Sequence, residues 1–400
     1  MSVRTHWGAV VSVVGIGIAA AMSVGKVPAA MPLIRSELGL SLVAGGWVMS
    51  VLSTLGALAG VALGLLADTI GQRRGVYLGV VALLAGGLLG AAAGDGTILL
   101  VARVLEGIGF ITAAVSAPAL VIAATTPADR NLALGIWTIY MPAGSAAGMV
   151  IAAFVLPWAG WRGLWLGLLV VLLLATAALV ATTRTLPMPS RSTARPLRLI
   201  GETARRPGLW ALALAFGAYA FQWISLMVWL PSFLIQDRGL DGAAATLLTV
   251  LVVLANVPGN VLGGWLVQRR VPRGWLLAAA SAVMAVSAPL ALAGFGPDGV
   301  RYALCLLFSF VGGVLPAACF SGAAAHAPSP KHVGSASGMI LQGSNLGQLA
   351  GPPLIAAMVS AAGGDWRAGT LTLAIAAGVA AAMGLVVVRL ESAKAVRQPA

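Results

Sequence analysis

Three ionisable side chains stand inside long apolar runs of this 400-residue chain: Lys26, Arg103 and Glu106. A charge held in hydrocarbon costs several kcal/mol, so each is a functional candidate by default. Arg103 and Glu106 lie three residues apart, hence on one helix face, where they can neutralise each other. Lys26 lies in SVGKVPAAMPLI, where Pro28 and Pro32 predict a locally broken helix. With no acid near it in sequence, Lys26 reads as an unpaired cation, and this pattern suits recognition of an anion, with Glu106 as a candidate proton carrier. In the plainer alternative, Arg103 and Glu106 only neutralise each other and Lys26 snorkels outward. The second half of the chain carries no acid or base deep in its apolar runs, so fixed charge is confined to one half and its unpaired member is positive. A carrier of cations would be expected to present an unpaired Asp or Glu. Tyr140, Gln222 and Asn345 are the polar side chains chosen to complete a substrate site, among a wider set that includes Trp137, Tyr219, Trp223, Asn256, Asn260, Gln342 and Gln348. Amides within membrane helices often bond only to neighbouring helices.

The elements that must position these groups follow from composition. Apolar residues make up 60% of the chain and charged residues 9%, against roughly 25% charged in soluble domains. So few charges cannot cover a water-soluble surface of this size, and lipid is the expected solvent for most of the exterior. Crossing the hydrocarbon core takes about 20 apolar residues. Segments that qualify lie near 8–32, 42–67, 75–93, 97–122, 131–156, 162–183, 208–235, 243–268, 273–295, 300–324, 332–361 and 367–389. Continuous apolar runs without alternation predict helices, not a barrel. The first segment is too long for a signal-peptide core and is read as an uncleaved span. The +13 charge sits in short clusters between spans, which marks topology and argues against nucleic-acid binding. With both termini cytoplasmic, 17 of the 24 Lys and Arg fall on that side and five on the other, while Lys26 and Arg103 fall within spans.

Shifting the chain by 203 residues places Gly135, Gly144 and Gly148 on Gly338, Gly347 and Gly351. Both segments then run into a Trp-Arg pair, Trp161-Arg162 and Trp366-Arg367. Gly64 and Gly264 likewise each precede a basic loop. Six spans per repeat make the repeats parallel. Residues 184–207 form the one long polar stretch, with six arginines and Glu202 as its only acid. The expected organisation is a six-helix bundle over 1–183, a basic cytoplasmic linker over 184–207, and a second bundle with a short tail over 208–400. Gly56, Gly60 and Gly64, like Gly343, Gly347 and Gly351, recur every four residues and predict close helix contacts.

After the second span, GLLADTIGQRR resembles the loop 2–3 signature G-x-x-x-D-x-x-G-x-R-[RK] of the major facilitator superfamily, matched by Gly64, Asp68, Gly71, Arg73 and Arg74. RVLEGIGF in span 4 is similar to that family's R-x-x-x-G pattern through Arg103 and Gly107. The resemblance covers essentially the whole chain. It implies an all-α fold of twelve transmembrane helices in two parallel-repeat bundles, working by alternating access, with spans 1, 4, 7 and 10 lining the path. The five loop residues would form a cytoplasmic latch, with Asp68 at a helix N-terminus and the arginines on carbonyls or a carboxylate. In the second half Gln268 stands where Asp68 would repeat, so a latch there is weaker. GIWTIYMPAGSAAG lacks the G-P-x-x-G-G ending of proton-coupled drug antiporters. The run around Lys26 looks like organic-anion branches, with cyanate- and nitroimidazole-type transporters a looser match.

Cys305 and Cys319 are read as small buried thiols, and His6, His326 and His332 lack metal-ligand spacing. No nucleophile–base pair, metal cluster or phosphate-binding glycine loop points to an enzyme or an ATP-driven pump. The expectation is a monomeric, cofactor-free secondary transporter of the bacterial inner membrane. It would move a small organic anion, with protons as the candidate coupling ion; the alternative is an exporter of hydrophobic drugs.

Overall fold

A computed structural model describes residues 4–58, 71–126, 129, 133, 136–137, 139–184, 186, 196–292, 296–329 and 332–397. Among the described residues every regular element is helical. The first half contributes α1 (Trp7–Leu38), α2 (Leu42–Ser50, continued by the 3-10 turn Val51–Ser53), α3 (Gln72–Ala91), α4 (Gly96–Ala124) and α5 (Tyr140–Thr183). A short α6 (Pro196–Ala204) follows. The remainder holds α7 (Pro207–Arg238), α8 (Gly242–Gln268), α9 (Arg273–Leu292), α10 (Asp298–Gly312), α11 (Val314–His326), α12 (Val333–Ala361) and α13 (Gly369–Arg397).

Helix starts follow local chemistry. Ser41 caps α2 through the amide of Ala44, and Asp95 caps α4 through those of Thr97 and Ile98 at 2.8 and 2.9 Å. Asp241 does the same for α8. Each carries an oxygen that accepts from the orphan amides of a first turn. Spans 5 and 6 run together as the 44-residue α5, divided at Gly160, whose φ of 63° and ψ of −174° interrupt the helix. Only glycine adopts that backbone without strain. The break predicted near Lys26 is absent. α1 runs through Pro28 and Pro32 without a non-helical residue, because packed neighbours support a membrane helix across the amide that proline lacks.

Nine of the described helices are long and apolar enough to cross a membrane, with Leu42–Leu58 a shorter apolar helix. α5 supplies two spans, and α10 with the first residues of α11 supplies one. α12 is not among the nine, since Gln342, Ser344, Asn345 and Gln348 lower its hydropathy.

The chain forms two compact units, Met1–Leu55 with Ala62–Ala194 and Leu230–Val250, and Gly56–Val61 with Arg195–Trp229 and Leu251–Ala400. In the first, α1 lies against span 5, with Gly25 on the backbone of Ser145 and Gly148 on Met22, while α3 lies on α4 through Gly79 and Gly109. In the second, the pairing of first and fifth spans recurs as α7 on α12 through Gly217 and Gly347, while α9 meets α13 through Gly274 and Gly384. Lipid tails are as apolar as the helices, so association rests on such close backbone approach. Glu391 of α13 accepts from Arg273 of α9 at 3.1 Å and lies 3.3 Å from His326 of α11, tying three helix ends together. His332 meets Glu202 at 2.9 Å, which holds α6 to the start of α12. Cys305 and Cys319 are buried free thiols.

A Cβ on Gly25 would collide with the Ser145 carbonyl, whereas one on Gly15 would meet nothing within 4 Å. Gly25→Val is therefore expected to destabilise the purified protein by about 1–3 kcal/mol or more, and Gly15→Val to leave it within about 0.5 kcal/mol of wild type. Thermal melting in detergent checks both, and equal melting of the two variants would contradict the packing.

Candidate functional site

Lys26 of α1 and Arg103 and Glu106 of α4 converge in the first unit. Their exposures are 3%, 0% and 1%. Lys26 is not solitary: its Nζ donates to Glu106 Oε1 at 2.6 Å. Arg103 Nη1 donates to the other oxygen, Oε2, so one carboxylate serves two cations. This corrects the reading of Lys26 as unpaired, and equally the picture of it snorkelling to the surface. Its partner lies 80 residues away on another helix, which no local pattern displays.

Arg103 also holds backbone. Its Nη1 donates to Ser23 O at 2.8 Å and its Nε to Val48 O at 3.1 Å, linking α4 to α1 and α2. Val48 stands one turn before the 3-10 stretch Val51–Ser53, where the helical ladder tightens and leaves carbonyl capacity for a side-chain donor. Arg103 Nη2, also buried, has no hydrogen-bond partner among the described residues. Two glycines seal the cluster, since a Cβ on Gly86 would press on Glu106 Cγ at 2.9 Å and one on Gly107 would strike the Leu52 carbonyl.

Two residues that sequence reasoning missed complete the surroundings. Trp165, in span 6, places its ring 4.0 Å beneath Lys26 Nζ. Ser23 borders a cavity of about 20 Å³ together with Lys26, Glu106 and Trp165, room for one water. The available signal was the i,i+4 pair Trp161 and Trp165, which reads more simply as a membrane anchor.

Tyr140 does not join this group. It stacks on Trp137 with centroids 4.4 Å apart and packs beside Gly17, nine residues along α1 from Lys26, or about 13 Å at helical rise. Gln222 and Asn345 belong to the second unit and donate to their own helices, to Ala218 O at 3.1 Å and Leu341 O at 2.8 Å. Gln222 Oε1 is buried without a partner among the described residues. Its sequence neighbours Tyr219 and Trp223 join another network: Asn256 Nδ2 donates to Tyr219 Oη at 3.1 Å and to Ser309 O at 2.8 Å, and Trp223 Nε1 donates to Ser309 Oγ. That network is neutral.

Of the loop signature, Gly64 and Asp68 lie outside the described residues. Gly71, at φ 99°, caps α3. Arg73 donates to the carbonyls of Arg184 at 3.1 Å and Leu186 at 2.6 Å, just past the end of α5. Arg74 is exposed. No group of three or more His, Cys, Asp or Glu among the described residues could hold a metal ion.

Comparisons with known proteins agree with this architecture. The chain is 28% identical over 71% of its length, and 71% of the relative's, to a protein of Cupriavidus necator named as a probable sulfoacetate transporter. It is 28% identical over 64% of each chain to one of Mycobacterium tuberculosis named as a probable nitrate/nitrite transporter. It is 27% identical over 63% of each chain to the 2-nitroimidazole transporter of Escherichia coli. A crystal structure of a bacterial homologue of the human lysosomal transporter Spinster, inward-facing and unoccupied, superposes with a TM-score of 0.81 over 97% of this chain and 98% of that one, at 17% identity. The family model described as Major Facilitator Superfamily matches residues 13–341. Twelve-span architecture, paired bundles and this match together make the chain a multi-pass membrane transporter, not an enzyme, belonging to the Major Facilitator Superfamily.

Proposed function

We propose that the protein is a secondary active transporter of a small organic anion, coupled to protons and working by alternating access. It resides as a monomer in the inner membrane, with both termini cytoplasmic. The observation that carries this reading is the shared carboxylate: Lys26 and Arg103 are both buried, and Glu106 is the one acid between them. Burying charge is costly, and a purely structural network would be neutral. This cluster keeps one excess positive charge and a guanidinium N–H without a partner. An oxyanion bound at Arg103 Nη2 would satisfy both, and a guanidinium fork suits carboxylates and sulfonates.

Within the same reading, Glu106 is an internal competitor for the substrate. A proton on Glu106 removes its hold on both cations and strengthens anion binding, and by linkage the bound anion strengthens proton binding. Proton and anion then move together. Two relatives are named for anions, sulfoacetate and nitrate or nitrite, which supports the substrate class. The excess of Lys and Arg in alternate loops supports the orientation.

Counterflow of sulfoacetate, nitrate and nicotinate in proteoliposomes tests the substrate class. At least one should exchange, and Arg103→Gln should raise its KM about tenfold or more, the worth of a charge-assisted hydrogen bond. Exchange of none of them, or an unchanged KM in the variant, refutes the reading. A second outcome concerns stability. Glu106→Gln leaves two buried cations without a counter-charge and should cost about 3–5 kcal/mol. A transported anion should then raise the melting temperature of Glu106→Gln more than that of wild type, because it fills the vacated role. An equal or smaller rise would rule out competition between Glu106 and substrate.

A further inference from the structure

We propose that Trp165 is a positioning residue for Lys26: its indole face is a second, uncharged seat for the ammonium group. Lys26 Nζ has two neighbours that stabilise its charge, Glu106 Oε1 at 2.6 Å and the Trp165 ring at 4.0 Å. Apart from Ser23 the wall around them is apolar, formed by Ala19, Leu83, Leu168 and Leu169. Were Glu106 neutralised or drawn to another partner, the ammonium would otherwise have no group beside it but a neutral hydroxyl and hydrocarbon. An aromatic face attracts a cation through its quadrupole, most strongly in a desolvated site. Unlike a second carboxylate, it adds no anion to compete with the substrate.

The seat is built before Lys26 occupies it. Trp165 is fully buried. Trp161, one turn earlier, packs edge-on against it with centroids 5.5 Å apart and planes at 85°. Trp161 is fixed in turn, donating from Nε1 to Glu37 at 2.6 Å, with the Arg162 guanidinium 4.2 Å over its ring. On the other side a Cβ at position 90 would fall 2.7 Å from Trp165 Nε1, so Gly90 leaves the room that the indole needs. That Nε1 has no hydrogen-bond partner among the described residues. A buried indole N–H left without a partner is a cost, and phenylalanine would fill the space without it. What tryptophan adds here is the stronger cation-binding face. The adjoining cavity of about 20 Å³ gives the ammonium room to shift between carboxylate and ring.

A double-mutant cycle decides between positioning and space filling. Trp165→Phe and Trp165→Leu are each melted as purified full-length protein in the wild-type and Lys26→Met backgrounds, with Lys26→Gln as a second neutral background should Met not fold. With Lys26 present, Leu should melt below Phe, which keeps an aromatic face. Without the lysine the gap should shrink by more than half. A gap of the same size in both backgrounds overturns the proposal, because Trp165 would then only fill space. A transport arm rests on the anion-site reading above: for sulfoacetate counterflow, Trp165→Phe should raise KM about threefold and Trp165→Leu more, with turnover falling less than KM rises. A fall in turnover alone speaks against positioning. If wild-type protein exchanges no anion of the panel, the anion-site reading fails, while the melting cycle still decides the role of Trp165.

Discussion

A carboxylate with two oxygens and two cationic partners fixes the centre of the first unit. Glu106 is the counter-charge that both cations share, in surroundings where an unpaired charge is costly. The interaction also sets helix positions. Arg103 spends its other donors on the backbones of α1 and α2, so the span that carries the acid is bound to two further helices through one side chain. Lys26 closes the arrangement from α1 and rests on span 6 through Trp165. Four spans are thus held at one level by a group of charges that water does not screen.

Such a centre needs helices that approach closely, and small residues provide the approach where the charges sit. Gly25 lies on Ser145, Gly86 on Glu106 itself and Gly107 on the Leu52 carbonyl. A methyl group at any of these positions would widen the gap around the cluster and lengthen its hydrogen bonds. Steric fit and electrostatics are therefore one constraint here: the 2.6 Å ion pair of Lys26 and Glu106 forms where backbones touch beside it.

Much of this was legible in the chain. Apolar runs of span length, the glycine spacing and GLLADTIGQRR pointed to the superfamily fold, and the rarity of charge in the spans singled out Lys26, Arg103 and Glu106. The Arg103–Glu106 contact followed from helical periodicity. What periodicity cannot show is a partner on another helix, so Lys26 looked alone. Pro28 and Pro32 suggested a break because proline lacks an amide, but the rule ignores the support that neighbouring helices give. Trp165 was not singled out, because the room it occupies beside Lys26 is left by Gly90 of a different span, which no local pattern displays. Tyr140, Gln222 and Asn345 were chosen by residue type and span; Tyr140 packs farther along α1 beside Gly17, and Gln222 and Asn345 belong to the second unit.

The two units share the pairing of their first and fifth spans but not polar content, and the sequence offset makes the difference specific. At a spacing of 203 residues Gly56 falls on Gly259, Gly109 on Gly312 and Gly144 on Gly347, whereas Glu106 falls on Ser309, Arg103 on Leu306 and Lys26 on Trp229. Ser309 occupies its position as a neutral hub, bonded to Trp223 and Asn256. Glycines persist at matching places because backbone contact tolerates no Cβ, a demand that each bundle must meet separately. Charges obey a different rule. A hydrogen-bonded serine stabilises its bundle with little desolvation cost, while a second net-positive cluster would repeat the cost of the first. The proposed anion site calls for one charged centre only, so the steric half of the repeat is kept twice and the electrostatic half once.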